Sequence, residues 1–152
     1  TLWHSSAASD VYKRQGPSFL LFTQEYFQEI SQVLSANGSF IIQAGSIAVA
    51  EMSLYIRIVK TLQTVFNYVY PLVPYSASYG CPLGFVLCSN QKFSSRPNPE
   101  KVDLLLAEKT TGGFKFMDGI SLLGIFQIPL NLREAIARET QIYTLKALPN
   151  YQ

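Results

Sequence analysis

The stretch from Thr23 to Gln43 sets an amphipathic helix directly before an apolar strand, and this junction constrains the fold more than any other part of the chain. Thr23 can cap a helix whose apolar residues Tyr26, Phe27, Ile30, Val33 and Leu34 share one face. Asn37-Gly38 supplies a left-handed stop. Ser39-Phe-Ile-Ile-Gln43 follows at once as a nearly continuous apolar run, the pattern of a strand covered on both faces. Val49, Met52, Ile56, Val59, Gln63 and Phe66 then recur at steps of three and four. That spacing predicts a second helix over residues 48–66, with Glu51 in its first turn.

Strands are predicted next over Tyr68–Tyr75 and Phe85–Ser89, paired as a hairpin across the Ser-, Gly- and Pro-containing segment Ser76–Leu83. Pro71 and Pro74 put the first of them at an edge, because proline cannot donate to the ladder. Asn98-Pro99 is a cap followed by proline at the first helical position, opening a helix through Glu108 that Thr110-Thr-Gly-Gly113 ends. Phe114–Met117 is predicted as a small strand, and Pro129–Glu139 contains a last helix. The order is that of the C-terminal half of a doubly wound, Rossmann-like α/β sheet ending in an antiparallel hairpin.

Composition narrows the chemistry. The 152 residues are 48% hydrophobic, enough for one packed domain. Twelve Lys and Arg against ten Asp and Glu give a net charge of +2, which argues against nucleic acid as a partner. The longest apolar stretch, Phe40–Tyr55, is broken by Gln43, Ser46, Glu51 and Ser53, short of the roughly 20 apolar residues of a spanning helix, so no membrane association is implied. Cys81 and Cys88 make neither a disulfide framework nor a metal quartet, as expected in a reducing compartment. They read most simply as a loop thiol and a small buried apolar residue, with a bond between them as the alternative.

The single histidine, His4, excludes a Ser-His-Asp triad, a Cys-His pair and a histidine metal site. It lies in Thr1–Gln15, a segment with no helical or strand period and with neither the basic start nor the apolar core of a signal peptide. The string Ser6–Gln15 resembles a prefix met at the ends of translated environmental assemblies, read through adapter sequence. Residues 1–15 are therefore expected to be non-native, and residues 16–152 to be the genuine part. Catalysis must then rest on carboxylates, hydroxyls, amides or groups outside this chain.

Three clusters could carry chemistry. Thr111-Gly-Gly113 follows a helix rather than a strand, which favours a turn over a phosphate cradle. Gln43-Ala-Gly-Ser46 stands where a strand feeds a helix, the edge at which open α/β sheets bind ligands; an amide there can hold an amine or a ribose, or the segment is a plain turn. Tyr75, Ser76, Ser78, Tyr79 and Gly80 make an aromatic, hydroxyl-rich loop that could line a pocket for an organic amine, although tyrosine also suits strands for its propensity alone.

Read together, Gly16–Phe27, Phe40–Ser46 and Ser78–Ser89 resemble the spermidine synthase family of polyamine aminopropyltransferases, and the tail Phe116-Met-Asp-Gly119, Gly124–Pro129 and Leu132-Arg-Glu134 resembles its closing segment. The resemblance spans Gly16–Thr144. It implies a class I methyltransferase-like sheet, decarboxylated S-adenosylmethionine as co-substrate with no cofactor and no metal, and a small polyamine acceptor such as putrescine. It also implies a cytoplasmic enzyme, a homodimer or homotetramer at full length. By the family pattern Pro17 and Leu21 belong beside the adenine, and Gln43 and Tyr79 line the acceptor end.

The family's β domain, glycine-rich loop, ribose-binding acid and Asp-bearing catalytic loop would all precede Gly16, so no catalytic residue is assigned and the chain alone is expected to be inactive. Asp10 falls near the place of the catalytic Asp, but Val-Tyr-Lys-Arg-Gln after it departs from the pattern, and the coincidence carries no role. Leu83 stands where many members have Trp, and a histidine of the closing segment is replaced near Leu122 and Leu123, which leaves the acceptor open among putrescine, spermidine and agmatine. Another class I methyltransferase and a non-catalytic relative are the competing expectations.

Overall fold

The computed structural model describes residues 17–75 and 80–149. A 3-10 helix over Pro17–Phe22 leads into α1, Gln24–Val33, and Thr23 caps it as expected by accepting from the Tyr26 N–H at 3.4 Å. The helix ends at Leu34, which exits in extended conformation, and Gly38 does not adopt a left-handed φ, so the expected glycine stop is not what terminates α1. Leu34 instead packs against the core, and an extended exit points it there.

Three strands follow: β1 Ser39–Ser46, β2 Tyr68–Leu72 and β3 Leu83–Ser89. Their order is β1-β3-β2, and β3 is antiparallel to both neighbours, so β1 and β2 run parallel with the returning strand between them. β2 lies at an edge, where Pro71 costs no central ladder bond. Helix α2, Ser53–Gln63, is shorter than its apolar spacing predicts, because residues 48–52 form turns and Val49 is exposed.

Helices α1 and α2 cover one sheet face. Phe27, Tyr55, Ile58, Val59, Leu62, Val86 and Cys88 are fully buried there, and Phe40 stacks on Phe66 at 6.2 Å. The opposite face is covered less: Ile41 is 56% exposed, so β1 is not sheltered on both sides by the described residues. On that face Tyr70 meets Phe93 and, edge-on, Phe126.

Beyond the sheet lie α3 Pro99–Lys109, α4 Gly119–Phe126 and α5 Leu130–Arg138. Phe114–Met117 is not a strand: among the described residues no strand pairs with it, and Asp118 caps α4 immediately afterwards by accepting from Ser121 N–H at 2.7 Å. α5 packs on α2, and the tail returns to α2 and α1 through Tyr143, whose N–H donates to Thr61 Oγ1 at 2.9 Å and whose carbonyl accepts from Gln24 N–H at 2.9 Å. Among the described residues no single helix is long and apolar enough to cross a membrane; α4 and α5 reach that length and apolarity only as a pair bent by 41°.

Candidate functional site

The carboxyl-terminal end of β1 is where the sheet changes character. Gln43, Phe85 and Leu72 form one row across all three strands. Immediately beyond it β1 bulges, between Gln43 and Gly45. Gly45 has φ of 109°, a conformation that costs glycine little and other residues much. Ala44 and Ser46 are buried, Ser46 Oγ accepts from Ala48 N–H at 3.2 Å, and Ile47 N–H donates to the Pro82 carbonyl at 3.0 Å. The turn from β1 towards α2 is thereby tied to the start of β3.

Gln43 is half-buried, and its side-chain amide has no hydrogen-bond partner among the described residues. It therefore presents a free donor and a free acceptor at the strand end, where open α/β sheets bind ligands. Leu21 sits in the 3-10 helix, 40% exposed, and Pro17 begins that helix. No hydrogen bond or ring contact among the described residues joins this helix to Gln43. Three residues on from Leu21, Gln24 donates to Thr64 Oγ1 at 2.8 Å, near the amino-terminal end of β2. Tyr79 and Asp10 lie outside the described residues. The exposed Tyr75 ring stacks on Phe116 at 6.4 Å and 25°.

The other clusters resolve simply. Gly112 and Gly113 both have positive φ and make the turn after α3. Cys81 and Cys88 are free, and burial pushes the Cys88 thiol up to about 12, which makes it an inert core group. Among the described residues no group of three or more His, Cys, Asp or Glu could hold a metal ion.

One residue at this end was not singled out by sequence. Tyr55, on the apolar face of α2, is fully buried with its hydroxyl donating to the Phe85 carbonyl at 3.1 Å. Burial raises its phenol well above the ordinary range, against the opposing effect of the Leu72 backbone N–H. The available signal was Gly84: a glycine inside a strand marks a close approach, and here the Tyr55 ring occupies the space a side chain would need.

The spermine/spermidine synthase domain model matches residues 7–97, a span that begins inside the segment read above as foreign. The chain is 46% identical over 140 residues to a polyamine aminopropyltransferase of Synechococcus sp. (strain JA-3-3Ab), covering 90% of this chain and 45% of that protein. It is 32% identical over 136 residues to polyamine aminopropyltransferase 2 of Hyperthermus butylicus, covering 90% and 44%. The chain thus spans under half the length of these relatives. The spermidine synthase from Thermotoga maritima superposes with a TM-score of 0.66 at 17% identity, over 82% of this chain and 41% of that one. A spermidine synthase solved in complex with the transition state analogue AdoDATO gives 0.64 at 17% identity, over 77% and 39%. The α/β fold expected from sequence is the fold of these structures.

Proposed function

This chain belongs to the spermine/spermidine synthase family, and we propose that it is the C-terminal part of a polyamine aminopropyltransferase. The reaction assigned to the full-length enzyme moves the aminopropyl group of decarboxylated S-adenosylmethionine to an amine such as putrescine and releases 5′-methylthioadenosine. A neutral amine nitrogen attacks the carbon bound to the sulfonium; the new C–N bond forms as the C–S bond breaks, the electron pair goes to sulfur, and a proton leaves the nitrogen for a base. No residue of 16–152 is assigned as that base, which belongs to a segment of the longer protein. The observation that carries the reading is the free amide of Gln43 at the carboxyl end of β1, inside the matched span.

Gln43 and Tyr79 line the acceptor side in this reading, where an amide oxygen, a phenol hydroxyl and an aromatic face suit an amine. Pro17 and Leu21 serve the adenine side. The enzyme needs no metal or further cofactor, works in the cytoplasm and assembles as a homodimer or homotetramer. The free state of Cys81 and Cys88 suits a reducing compartment.

The test is the full-length protein, recovered from the upstream reading frame, incubated with decarboxylated S-adenosylmethionine and putrescine. Release of 5′-methylthioadenosine is expected; methyl transfer from S-adenosylmethionine in its place sinks the reading. Tyr79→Phe and Gln43→Ala should each raise the KM for the amine by about tenfold, the worth of one hydrogen bond, and leave methylthioadenosine affinity unchanged.

A further inference from the structure

The buried residues of α2 are aliphatic except Tyr55 and Thr61, and Tyr55 is placed at a particular row of the sheet. Tyr55 Oη donates to the carbonyl of Phe85 at 3.1 Å. Phe85 pairs with Leu72 on one side and with Gln43 on the other. The hydroxyl thus grips the last row common to all three strands before β1 bulges. One residue further along, Val73 N–H donates to the Ile125 carbonyl of α4 at 3.0 Å rather than continuing the ladder.

The ring beneath that hydroxyl is fixed as firmly. A Cβ on Gly84 would run into Cε2 and Cδ2 of Tyr55 and would press on Cγ2 of Ile47. Ile47 is the residue whose N–H holds the Pro82 carbonyl. Phenylalanine would fill the same space, so the ring alone does not account for tyrosine. A hydroxyl taken out of water costs stability unless it is bonded, and this one is spent on a backbone row that already has ladder partners. What it adds is a fixed position for that row.

We propose that Tyr55 is a positioning residue: through the Phe85 carbonyl it holds the β1–β3 register opposite Gln43, and so sets where the Gln43 amide meets the acceptor amine. The inference rests on the aminopropyltransferase reading. Tyr55 lies beneath the sheet and does not touch substrate.

The experiment uses the full-length enzyme with Tyr55→Phe, Gln43→Ala and the double variant. Tyr55→Phe should raise the amine KM by about threefold to tenfold, within the worth of one neutral hydrogen bond, with kcat and methylthioadenosine affinity unchanged. In the Gln43→Ala background it should add nothing to the amine KM, because the two act in series. Amide exchange at Leu72 should quicken in Tyr55→Phe, which reports loss of the grip independently of turnover. Faster exchange with an unchanged amine KM would show a structural hydroxyl only and overturns the inference. So do additive effects in the double variant, or amine KM, kcat and nucleotide affinity shifting together. A wild-type enzyme without aminopropyl transfer overturns the functional reading and this inference with it; an active wild type with an indifferent Tyr55→Phe overturns the inference alone.

Discussion

Helices α2 and α3 each have 11 residues and are held in opposite ways. α2 buries Tyr55, Ile56, Ile58, Val59, Thr61 and Leu62, yet Met52 at its N-cap makes no side-chain bond to the first turn. α3 buries nothing, but Asn98 caps it by accepting from Lys101 N–H at 2.9 Å and Pro99 pre-sets its first turn. One helix is made by tertiary packing and the other by its own ends. The end that lines the candidate site belongs to the first kind: Gln43 is positioned by strands that α2 packs against, whereas α4 meets the sheet at β2 and α3 packs on α4.

The widest test of this contrast is a matched pair of leucines. Leu62 is fully buried in α2, so Leu62→Ala should cost about 2–5 kcal/mol through lost burial and the cavity left behind. Leu104 in α3 is 71% exposed, and Leu104→Ala should cost about 0.5 kcal/mol or less. Denaturant melts of the two variants read the difference directly. A loss at Leu104 as large as at Leu62 would mean that α3 is buried in the working protein and that the contrast belongs to this chain alone.

Asn98→Ala sharpens the comparison from the other side. Removing a cap of this type costs about 1 kcal/mol, and with no burial behind it the loss should stay within α3. Amide exchange should quicken over residues 101–105 while the α2 amides keep their protection. Quickening in both helices would show that α3 and the core unfold as one unit.

The same division explains what could be read from sequence. The caps at Thr23 and Asn98 are local chemistry, and both stand in the structure where the residues put them. The edge position of β2 followed from Pro71, which forbids a central ladder. The limits of α2 were not legible, because Val49 continues the helical spacing but faces solvent outside the helix. α4 was missed for a related reason: Gly-Ile-Ser-Leu-Leu-Gly-Ile-Phe is apolar on every side and offers no period, and only Asp118 with Ser121 three residues on marks its start. At the candidate site, Gln43 was singled out from its place at a strand end, and it stands near the end of β1. Tyr55 was hidden, since a tyrosine on an apolar helix face looks like core until Gly84 is seen across from it.

The smallest expected effect concerns how the chain's tail is fastened to α2. Arg57 Nε lies 3.4 Å from Glu139 Oε2, and its guanidinium sits 5.4 Å from the centre of the Tyr143 ring. Glu139 Oε1 accepts from the N–H groups of Thr140 and Gln141 at 2.9 and 2.8 Å. Burial raises this carboxyl, but the Gln141 N–H, the Arg57 charge and the Thr140 N–H outweigh it, and the net shift is downward. A carboxylate depressed in the folded state adds stability that is complete above its unfolded value, about 4.3 for glutamate, and is lost as pH falls through the folded value. Acidification below about pH 4 should therefore loosen the segment 139–148 from α2, by less than about 1 kcal/mol for a partly exposed pair. Glu139→Gln should remove that acid-dependent part and leave stability flat between about pH 3 and 5 at this site, read from the Tyr143 ring resonances along a titration. An unchanged acid transition in the variant would assign it to other carboxylates and leave the tail held by Tyr143 and Thr61, the packing that holds α2 itself.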